Sequence, residues 1–519
     1  MKQTIRRLVI LIIVLTSPIW ISRLIWILSP SLPLKVKVID YTVPYDNYAE
    51  HNALFWGFNH LKLHSPKGPR QMWDNRSHYI GPEPFQPTQT QRLSDQKDVD
   101  QMDLIYVGDT YGVYRDDFVT EITLKDEPVA ISPKTPPEVL KALFDDQKLE
   151  VHSDYSQVLF GGLSKTDVDV LETHVNRGKD LVLEFNSFCD PTQETERHRA
   201  EKLVNLSWTG WSGRFFIDPQ DPHDTPRWLK RLYEEQYPDT PFPSEPSLLL
   251  IHRSGKLFMI SNPDHTLITP TLTLNDEFQE RFPISTTPFY YFWFAVMSPM
   301  GNPSGSLNQS KDPSLSQNSE KQKFNVNSKA QNKEGSPSAS VNQDASTPFL
   351  TPPSILKWSN SKGKVKQFQD QSQRVVRQEE FRILAQLNLP QLPSTQVIYQ
   401  KIGISNQIPL LTEFIVTTQK NRSHRYHLAI DGSDMRNDLG QYHFAGLRLL
   451  NTISAKNRGN SLSPLPVFWQ VFIPFLDTLL WERSLDHYPD FVPPLYQRIT
   501  DESLYRFSLI RQWFRQWFQ

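Results

Sequence analysis

The sequence predicts an α/β fold: a flavodoxin-like, mostly parallel sheet with helices on both faces, followed by a strand-rich second portion and a C-terminal helical tail. Between residues 35 and 245, short apolar runs alternate with segments of helical periodicity, a pattern typical of parallel strands joined by helices. From residue 247 the apolar runs follow one another closely, which favours antiparallel strands. Apolar residues also recur at helical spacing between Leu504 and Phe518, which predicts an amphipathic helix.

Three apolar runs are predicted to form the centre of the parallel sheet. They are residues 35–40, 103–107 and 181–185, and none of them has the period of an amphipathic helix. Because such runs suit strands that are covered on both faces, we expect them to lie side by side and to run in the same direction.

The helix before the third run has clear start and stop signals. Ser164 is followed three residues later by Asp167, which is typical of an N-terminal capping box, and Gly178 is typical of a helix end. The other predicted elements are helices at 48–63, 192–204 and 226–236, and strands at 247–251, 257–260, 267–274, 397–403, 410–416 and 426–430.

Composition divides the chain into six predicted segments. Residues 301–350 are rich in Ser, Asn, Gln, Lys and Pro, so they cannot bury enough apolar surface to offset the entropy of ordering, and we predict a disordered insertion. The segments are an N-terminal membrane anchor (1–34), an α/β domain (35–245), a strand-rich portion in two parts (246–300 and 351–465), the insertion between them (301–350) and a helical C-terminal tail (466–519).

The amino terminus predicts a location at a membrane. Lys2, Arg6 and Arg7 precede an uncharged run at 8–22, which is about 22 Å of helix. A helix that continues past Arg23 to Leu28 is about 31 Å long, which is enough to span the hydrocarbon core of a membrane if the Arg23 side chain reaches the headgroups. We favour an uncleaved single-pass anchor with the bulk of the protein extracytoplasmic, over a cleaved signal peptide or a buried soluble helix.

Charge and cysteine content exclude several classes of function. With 55 Lys and Arg against 57 Asp and Glu, the chain lacks the positive charge of a nucleic-acid-binding protein, and no nucleic-acid partner is predicted. A single cysteine excludes an intramolecular disulfide and any metal site built from several cysteines. We predict no metal and no cofactor.

Residues 158–185 comprise a strand, Gly161–Gly162, a capped helix, a glycine and a second strand. This arrangement resembles the core unit of class I glutamine amidotransferase-like domains. The segments VIDYTVPY, HNALFWGFNHLKL, DLIYVGDTYGVY, LVLEFNSF and SWTGWSGRFF together resemble uncharacterised membrane-anchored bacterial proteins that carry such a domain. The similarity covers roughly residues 35–300, with a fainter continuation at Arg425–Asp434.

The resemblance does not extend to the catalytic motif of the amidotransferases. That family has a cysteine in a glycine-flanked elbow and a later His-x-Glu pair. Here the matching turn, EFNSFCDPT at 184–192, places Cys189 without a flanking glycine and with Pro191 close behind. A tight nucleophile elbow needs small neighbours, and no suitable His-x-Glu pair follows. The resemblance therefore implies a scaffold without amidotransferase chemistry.

Polar residues follow the predicted parallel strands at the edge where open α/β sheets bind ligands. They predict a polar-ligand site in which Asp40 and Asp109 act as hydrogen-bond acceptors or as a general acid and base. The alternative is that they only cap the next turn or helix. The candidate ligand-binding residues there are Asp40, Tyr41, Asp109, Thr110, Tyr111 and Asn186. The catalytic candidates are Asp40, Asp109, Glu184 and Cys189, the last with His198 as the only local base.

The segment SWTGWSGRFF supplies a second set of candidate ligand-binding residues. Trp208, Trp211 and Arg214 could stack on and hold a sugar, and two carboxylates could in principle hydrolyse one. The alternative is a packed loop that bridges core elements.

These patterns together predict a membrane-anchored envelope protein with a catalytically degenerate amidotransferase-like domain. Its expected role is ligand binding or assembly, possible partners being a glycan or an envelope protein. Two alternatives remain: a membrane-tethered glycan hydrolase that uses paired carboxylates, and a scaffold whose insertion recruits partners. The weight of the sequence is against an enzyme.

Overall fold

The fold is taken from a computed structural model, which describes five main stretches of the chain. These are residues 31–115 except 69–70; 119–121 and 130–131; 158–300 except 222–224, 226, 276–286 and 289–292; 364–433 except 370–374; and 467–491, with scattered positions between 5 and 29.

The described strands are numbered in chain order. The first ten are β1 (Val36–Asp40), β2 (Tyr79–Ile80), β3 (Pro82–Glu83), β4 (Gln86–Thr90), β5 (Leu104–Asp109), β6 (Val113–Tyr114), β7 (Val119–Glu121), β8 (Ala130–Ile131), β9 (Val158–Phe160) and β10 (Asp180–Glu184). The others are β11 (Leu206–Phe216), β12 (Ser247–His252), β13 (Leu257–Ser261), β14 (Thr271–Leu274), β15 (Thr287–Pro288), β16 (Trp293–Pro299), β17 (Lys364–Gln369), β18 (Val375–Asn388), β19 (Gln407–Thr418) and β20 (Arg422–Leu428).

The described α-helices are α1 (Asn52–His60), α2 (Lys165–Asn176), α3 (Glu194–Val204), α4 (Arg227–Gln236), α5 (Pro393–Ile402) and α6 (Ile473–His487). One turn of π-helix, Phe468–Phe472, leads directly into α6. Ser164 caps α2 as predicted: its hydroxyl accepts a hydrogen bond from Asp167 N at 3.1 Å, and the Asp167 carboxylate accepts one from Ser164 N at 2.9 Å.

The main sheet has a parallel half and an antiparallel half. Strands β2, β1, β5, β10 and β20 are neighbours in that order, and all four pairs are parallel. The sheet continues through β19, β18, β14 and β15, with β17 also paired to β18, and all of these pairs are antiparallel. The predicted α/β class, with a strand-rich second portion and a C-terminal helix, is confirmed.

The three central strands lie as predicted. In β1 and β5, Val36 is opposite Leu104, and in β5 and β10, Leu104 is opposite Asp180. Their side chains, including Val38, Ile105 and Val182, are buried in one hydrophobic core, as expected for strands covered on both faces.

Helices cover both faces of the main sheet. Helix α1 lies on one face, where the rings of Phe58 and Tyr106 are 6.4 Å apart, and α6 lies on the same face, where the rings of Tyr426 and Phe475 are 5.9 Å apart. Helices α2 and α3 lie on the other face, where Arg425 Nη1 donates to the Leu203 carbonyl at the end of α3.

A second sheet is wholly antiparallel, with the order β13, β12, β11, β16. Helix α4 packs on it in a separate small core that includes Phe216, Leu229 and Leu249. A bridge between Phe294 and Ile430 links this sheet to the end of β20. The predicted hairpin at 247–251 and 257–260 is confirmed as β12 and β13.

Two predictions from the sequence pattern need correction. Residues 397–403 were expected to form a strand but belong to α5, which Pro393 begins and Gly403 ends in the left-handed region at φ 71°. The predicted boundary near residue 245 does not separate one sheet from the other. Strand β11, before the boundary, pairs with β12 after it, and β14, β18 and β19, all after the boundary, extend the main sheet.

Three predicted segments lie wholly or partly outside the described residues. They are the insertion at 301–350, the amphipathic end from Leu504, and most of the anchor at 1–34. No helix in the part of the chain that the structure describes is both long and apolar enough to cross a membrane. The anchor stays a prediction.

Candidate site at the carboxyl edge of the parallel sheet

The carboxyl ends of β1, β5, β10 and β20 meet at one edge, because these strands are parallel neighbours. A register shift after Ile39 places Asp40 directly opposite Asp109. Tyr41 N then donates to the Asp109 carbonyl at 2.8 Å. The chain therefore brings its two predicted carboxylates to adjacent positions at the ends of adjacent strands.

Asp40 is fully buried and engaged through both carboxylate oxygens. Oδ1 accepts a hydrogen bond from Thr42 N at 2.9 Å, and Oδ2 lies 2.7 Å from His51 Nδ1. His51 Nε2 lies 2.7 Å from the Asn75 carbonyl, which can only accept. Since both ring nitrogens then face acceptors, either the imidazole is protonated or the proton between His51 and Asp40 resides on Asp40.

Asp109 is 7% exposed, and its Oδ1 accepts a hydrogen bond from Tyr111 N at 2.7 Å. Burial raises the pKa of Asp109 to about 7, and the neighbouring charge of Asp40 adds to this increase. A carboxyl group with such a pKa keeps its proton into the neutral range.

Glu184 lies at the end of β10 and holds the loop that follows β20. Its Oε2 accepts from the Tyr106 hydroxyl at 2.8 Å, while Oε1 accepts from Gly432 N and, at 2.8 Å, from Ser433 N. A Cβ at Gly432 would clash with the Phe472 ring. Burial raises the pKa of Glu184 to about 8, against the lowering effect of these hydrogen bonds. Glu184 is therefore a buried structural acceptor in this arrangement.

The loop after β10 carries two buried oxygens that no other described residue bonds. Thr110 Oγ1 donates to the Asn186 carbonyl at 3.4 Å, which places the ends of β5 and β10 in contact. Asn186 Oδ1 and Ser187 Oγ are buried and make no hydrogen bond within the described residues. Buried polar atoms are rarely left unpaired, so a ligand or water molecule is expected to bind them.

The two predicted tyrosines differ in exposure. Tyr41 is fully buried; its hydroxyl accepts from Leu93 N at 3.1 Å, and burial raises its pKa well above the usual range. Tyr111 is half-buried, and its ring lies 4.7 Å from that of Tyr114. Tyr41 is thus part of the core, whereas Tyr111 is accessible from the edge.

Cys189 lies in the same loop but is fully buried. Burial raises the pKa of its thiol well above the usual value, and the nearby charge of Asp190 adds to this. His198, the predicted local base, has its Nδ1 2.8 Å from Glu201 Oε2. A thiol in this environment is protonated and unreactive.

Trp208, Trp211 and Arg214 do not lie in a loop: they are part of β11 in the second sheet. Trp211 is buried, and its carbonyl accepts from Trp208 Nε1 at 2.9 Å. The Arg214 guanidinium lies over the Phe216 ring. These contacts describe packing within a sheet and do not present two open indole faces to a sugar.

The residues that complete the edge were not predicted by the sequence. His51, Asn75 and the backbone amides of Gly432 and Ser433 reach the edge only through the fold. The segment RYHLAIDGSD was the one available signal, since its strand ends at this edge. Within the described residues, no group of three or more His, Cys, Asp or Glu side chains could hold a metal ion.

Comparison with protein-family models, with curated proteins and with solved structures finds no match to this chain.

Proposed function

We propose that this chain is a membrane-anchored envelope protein whose amidotransferase-like domain binds a small polar ligand and has no amidotransferase activity. The observation that carries the proposal is a pair of buried oxygens, Asn186 Oδ1 and Ser187 Oγ, in the loop after β10, neither of which has a hydrogen-bond partner among the described residues. They lie beside Thr110, where open α/β sheets bind ligands. A glycan fragment, with its many hydroxyl donors, is the favoured ligand.

The buried thiol supports the absence of amidotransferase chemistry. Nucleophilic attack needs an accessible thiolate and a nearby base, whereas Cys189 is fully buried with a raised pKa. The purified full-length protein is expected to release no more ammonia from glutamine than its Cys189→Ala variant. Release that the variant abolishes would refute this part of the proposal.

Ligand binding is tested by calorimetric titration of the full-length protein in detergent. The probes are glucose, N-acetylglucosamine and glucuronic acid, which offer a neutral, an amide and an acidic sugar. We expect at least one to bind, and Asn186→Ala to weaken it about tenfold, because one buried hydrogen bond is lost. The control, Asn176→Ala at the exposed end of α2, should bind as the native protein does. Equal affinity of the Asn186→Ala variant would contradict the assignment of the site.

One observation favours a second candidate, a glycan hydrolase. Asp109 has a pKa of about 7 and lies next to Asp40, and a general acid needs such a raised pKa. However, glycosidases need two carboxyl groups facing an open cleft, and both aspartates are buried and bonded to backbone amides. Release of reducing ends from peptidoglycan by the native protein, lost in Asp109→Asn, would replace the first proposal by this one.

A further inference from the structure

A cleft of about 160 Å³ lies between α6 and the antiparallel half of the main sheet. One water molecule needs about 10–15 Å³ of such space, so the cleft can hold a small molecule. It is separate from the carboxyl edge. Its lining includes Arg422, His424 and Tyr426 from β20, Glu413 from β19 and Arg483 from α6.

The acidic group on the cleft floor is already compensated. Glu413 Oε1 accepts from the Tyr426 hydroxyl at 2.8 Å and lies 2.8 Å from His424 Nδ1, and Oε2 is 3.6 Å from Arg382 Nη1. Burial alone would raise the pKa of Glu413, but the hydrogen bonds from His424 and Tyr426 hold it below its usual value. The Glu413 carboxylate is therefore already engaged by groups of the protein itself.

Two buried nitrogen atoms of the lining lack a hydrogen-bond partner among the residues that the structure describes. His424 Nε2 and Arg483 Nε make no hydrogen bond within the described part of the chain, and each side chain belongs to a residue only 5% exposed. Arg483 Nη1 lies 2.7 Å from Asp486 Oδ2 and Nη2 lies 3.9 Å from Glu482 Oε2, so its contacts with carboxylates do not involve Nε. A buried polar atom without a partner is costly, so both nitrogens point to a bound ligand. Because Arg483 Nε can only donate, that ligand accepts a hydrogen bond there.

The contact between His424 Nδ1 and Glu413 restricts what Nε2 can do. If Nδ1 donates to the carboxylate, Nε2 donates as well only in an imidazolium, which a negatively charged ligand would favour. The titratable and charged groups that line the cleft with this ring are Arg382, Glu413, Arg422 and Tyr426 from the sheet and Glu482 and Arg483 from α6. A doubly charged oxyanion would stabilise the imidazolium and would accept hydrogen bonds from both nitrogens.

We propose that this cleft binds a phosphoryl group, with His424 Nε2 and Arg483 Nε as buried donors and Arg422 at the exposed mouth. Guanidinium and imidazolium groups suit tetrahedral oxyanions because they are planar, charged donors. The source of the group is either free phosphate or the end of a phosphate ester.

The test measures binding to the full-length protein by isothermal titration calorimetry. Inorganic phosphate and glucose 1-phosphate are the probes, and tighter binding of the second would identify an ester as the ligand. Arg422→Gln removes an exposed charge without disturbing the core and is expected to weaken binding about tenfold. The matched control is Arg377→Gln on β18, whose side chain is half-exposed and lies on the opposite face of the sheet from Arg382.

A second measurement tests the role of His424 separately. Sulfate, which carries two negative charges at neutral pH, is titrated into the native protein and the His424→Phe variant. We expect His424→Phe, which keeps a ring but has no nitrogen donor, to weaken sulfate binding about tenfold, and its melting temperature checks that the variant folds. No saturable binding of any of the three anions, or equal binding by the native protein and Arg422→Gln, would overturn the proposal.

Discussion

The Tyr106 hydroxyl donates a hydrogen bond to Glu184 Oε2 at 2.8 Å, and both groups are fully buried. The same carboxyl group accepts two backbone amides from the loop after β20. One side chain at the end of β10 thus fixes the loop that closes the carboxyl edge.

This relationship predicts different effects for two substitutions of Glu184. Glu184→Ala leaves the amides of Gly432 and Ser433 without their acceptor and is expected to lower the free energy of unfolding by about 1–3 kcal/mol. Glu184→Gln keeps an acceptor for them and should cost much less. Urea denaturation measures both, with Glu234→Ala at an exposed position of α4 as control. Equal destabilisation by both variants would contradict the role assigned to the acceptor.

Asp109 predicts a dependence of stability on pH. Its pKa rises from the usual 3.8 to about 7 in the folded state, so the folded protein keeps a proton that the unfolded chain loses. The stability contributed by this group is therefore fully present below pH 4 and is lost as the pH rises through 7.

Asp109→Asn should remove that component. Its unfolding free energy is expected to change less between pH 5 and pH 8 than that of the native protein, whereas Asp239→Asn on the surface should leave the dependence intact. Urea denaturation at both pH values is the measurement. An unchanged slope in Asp109→Asn would show that this carboxyl group does not hold the proton.

The thiol of Cys189 predicts slow labelling in the folded protein. Because it is fully buried with a raised pKa, Ellman's reagent should react only as the chain unfolds. In urea the protein should then yield one thiol per chain, since the sequence contains a single cysteine. Rapid labelling under native conditions would restore Cys189 as a candidate nucleophile.

The capping box of α2 predicts that loss of its serine hydroxyl lowers the stability of the protein by a modest amount. Ser164→Ala removes the oxygen that accepts from Asp167 N and should cost about 1 kcal/mol of unfolding free energy. Ser94→Ala, at an exposed position near the same helix, is the control. If Ser164→Ala loses no more unfolding free energy than Ser94→Ala does, the hydrogen bonds of the Asp167 side chain alone stabilise the N-terminal end of α2.

Local signals predicted the parts of the fold that depend on local chemistry. The capping box depends only on two residues that are three positions apart. The three central strands are recognisable in the sequence as apolar runs. Residues 397–403 show the limit, because a short apolar run suits a strand or a helix equally well. Pro393 and Gly403, at the two ends of α5, were the signals that would have decided it.

The candidate site could be predicted only as an edge and not as a set of contacts. Asp40 and Asp109 were found because they follow strands, but the contact between Asp40 and His51 depends on how α1 is placed over the sheet. The bond from Ser433 to Glu184 joins residues 249 positions apart. No rule based on residue spacing predicts a hydrogen bond between residues so far apart in the sequence.

The position of β20 between β10 and β19 has a consequence for how the protein is made. In the finished sheet β10 pairs with β5 on one side and with β20 on the other. The ribosome must translate past Leu428 before β20 can form the second of these pairs. Until then the nascent chain carries an open strand edge, which is a site for unwanted pairing with other chains. Shortened forms that end before Arg422 should accordingly aggregate, even though they contain most of the strands of the parallel half.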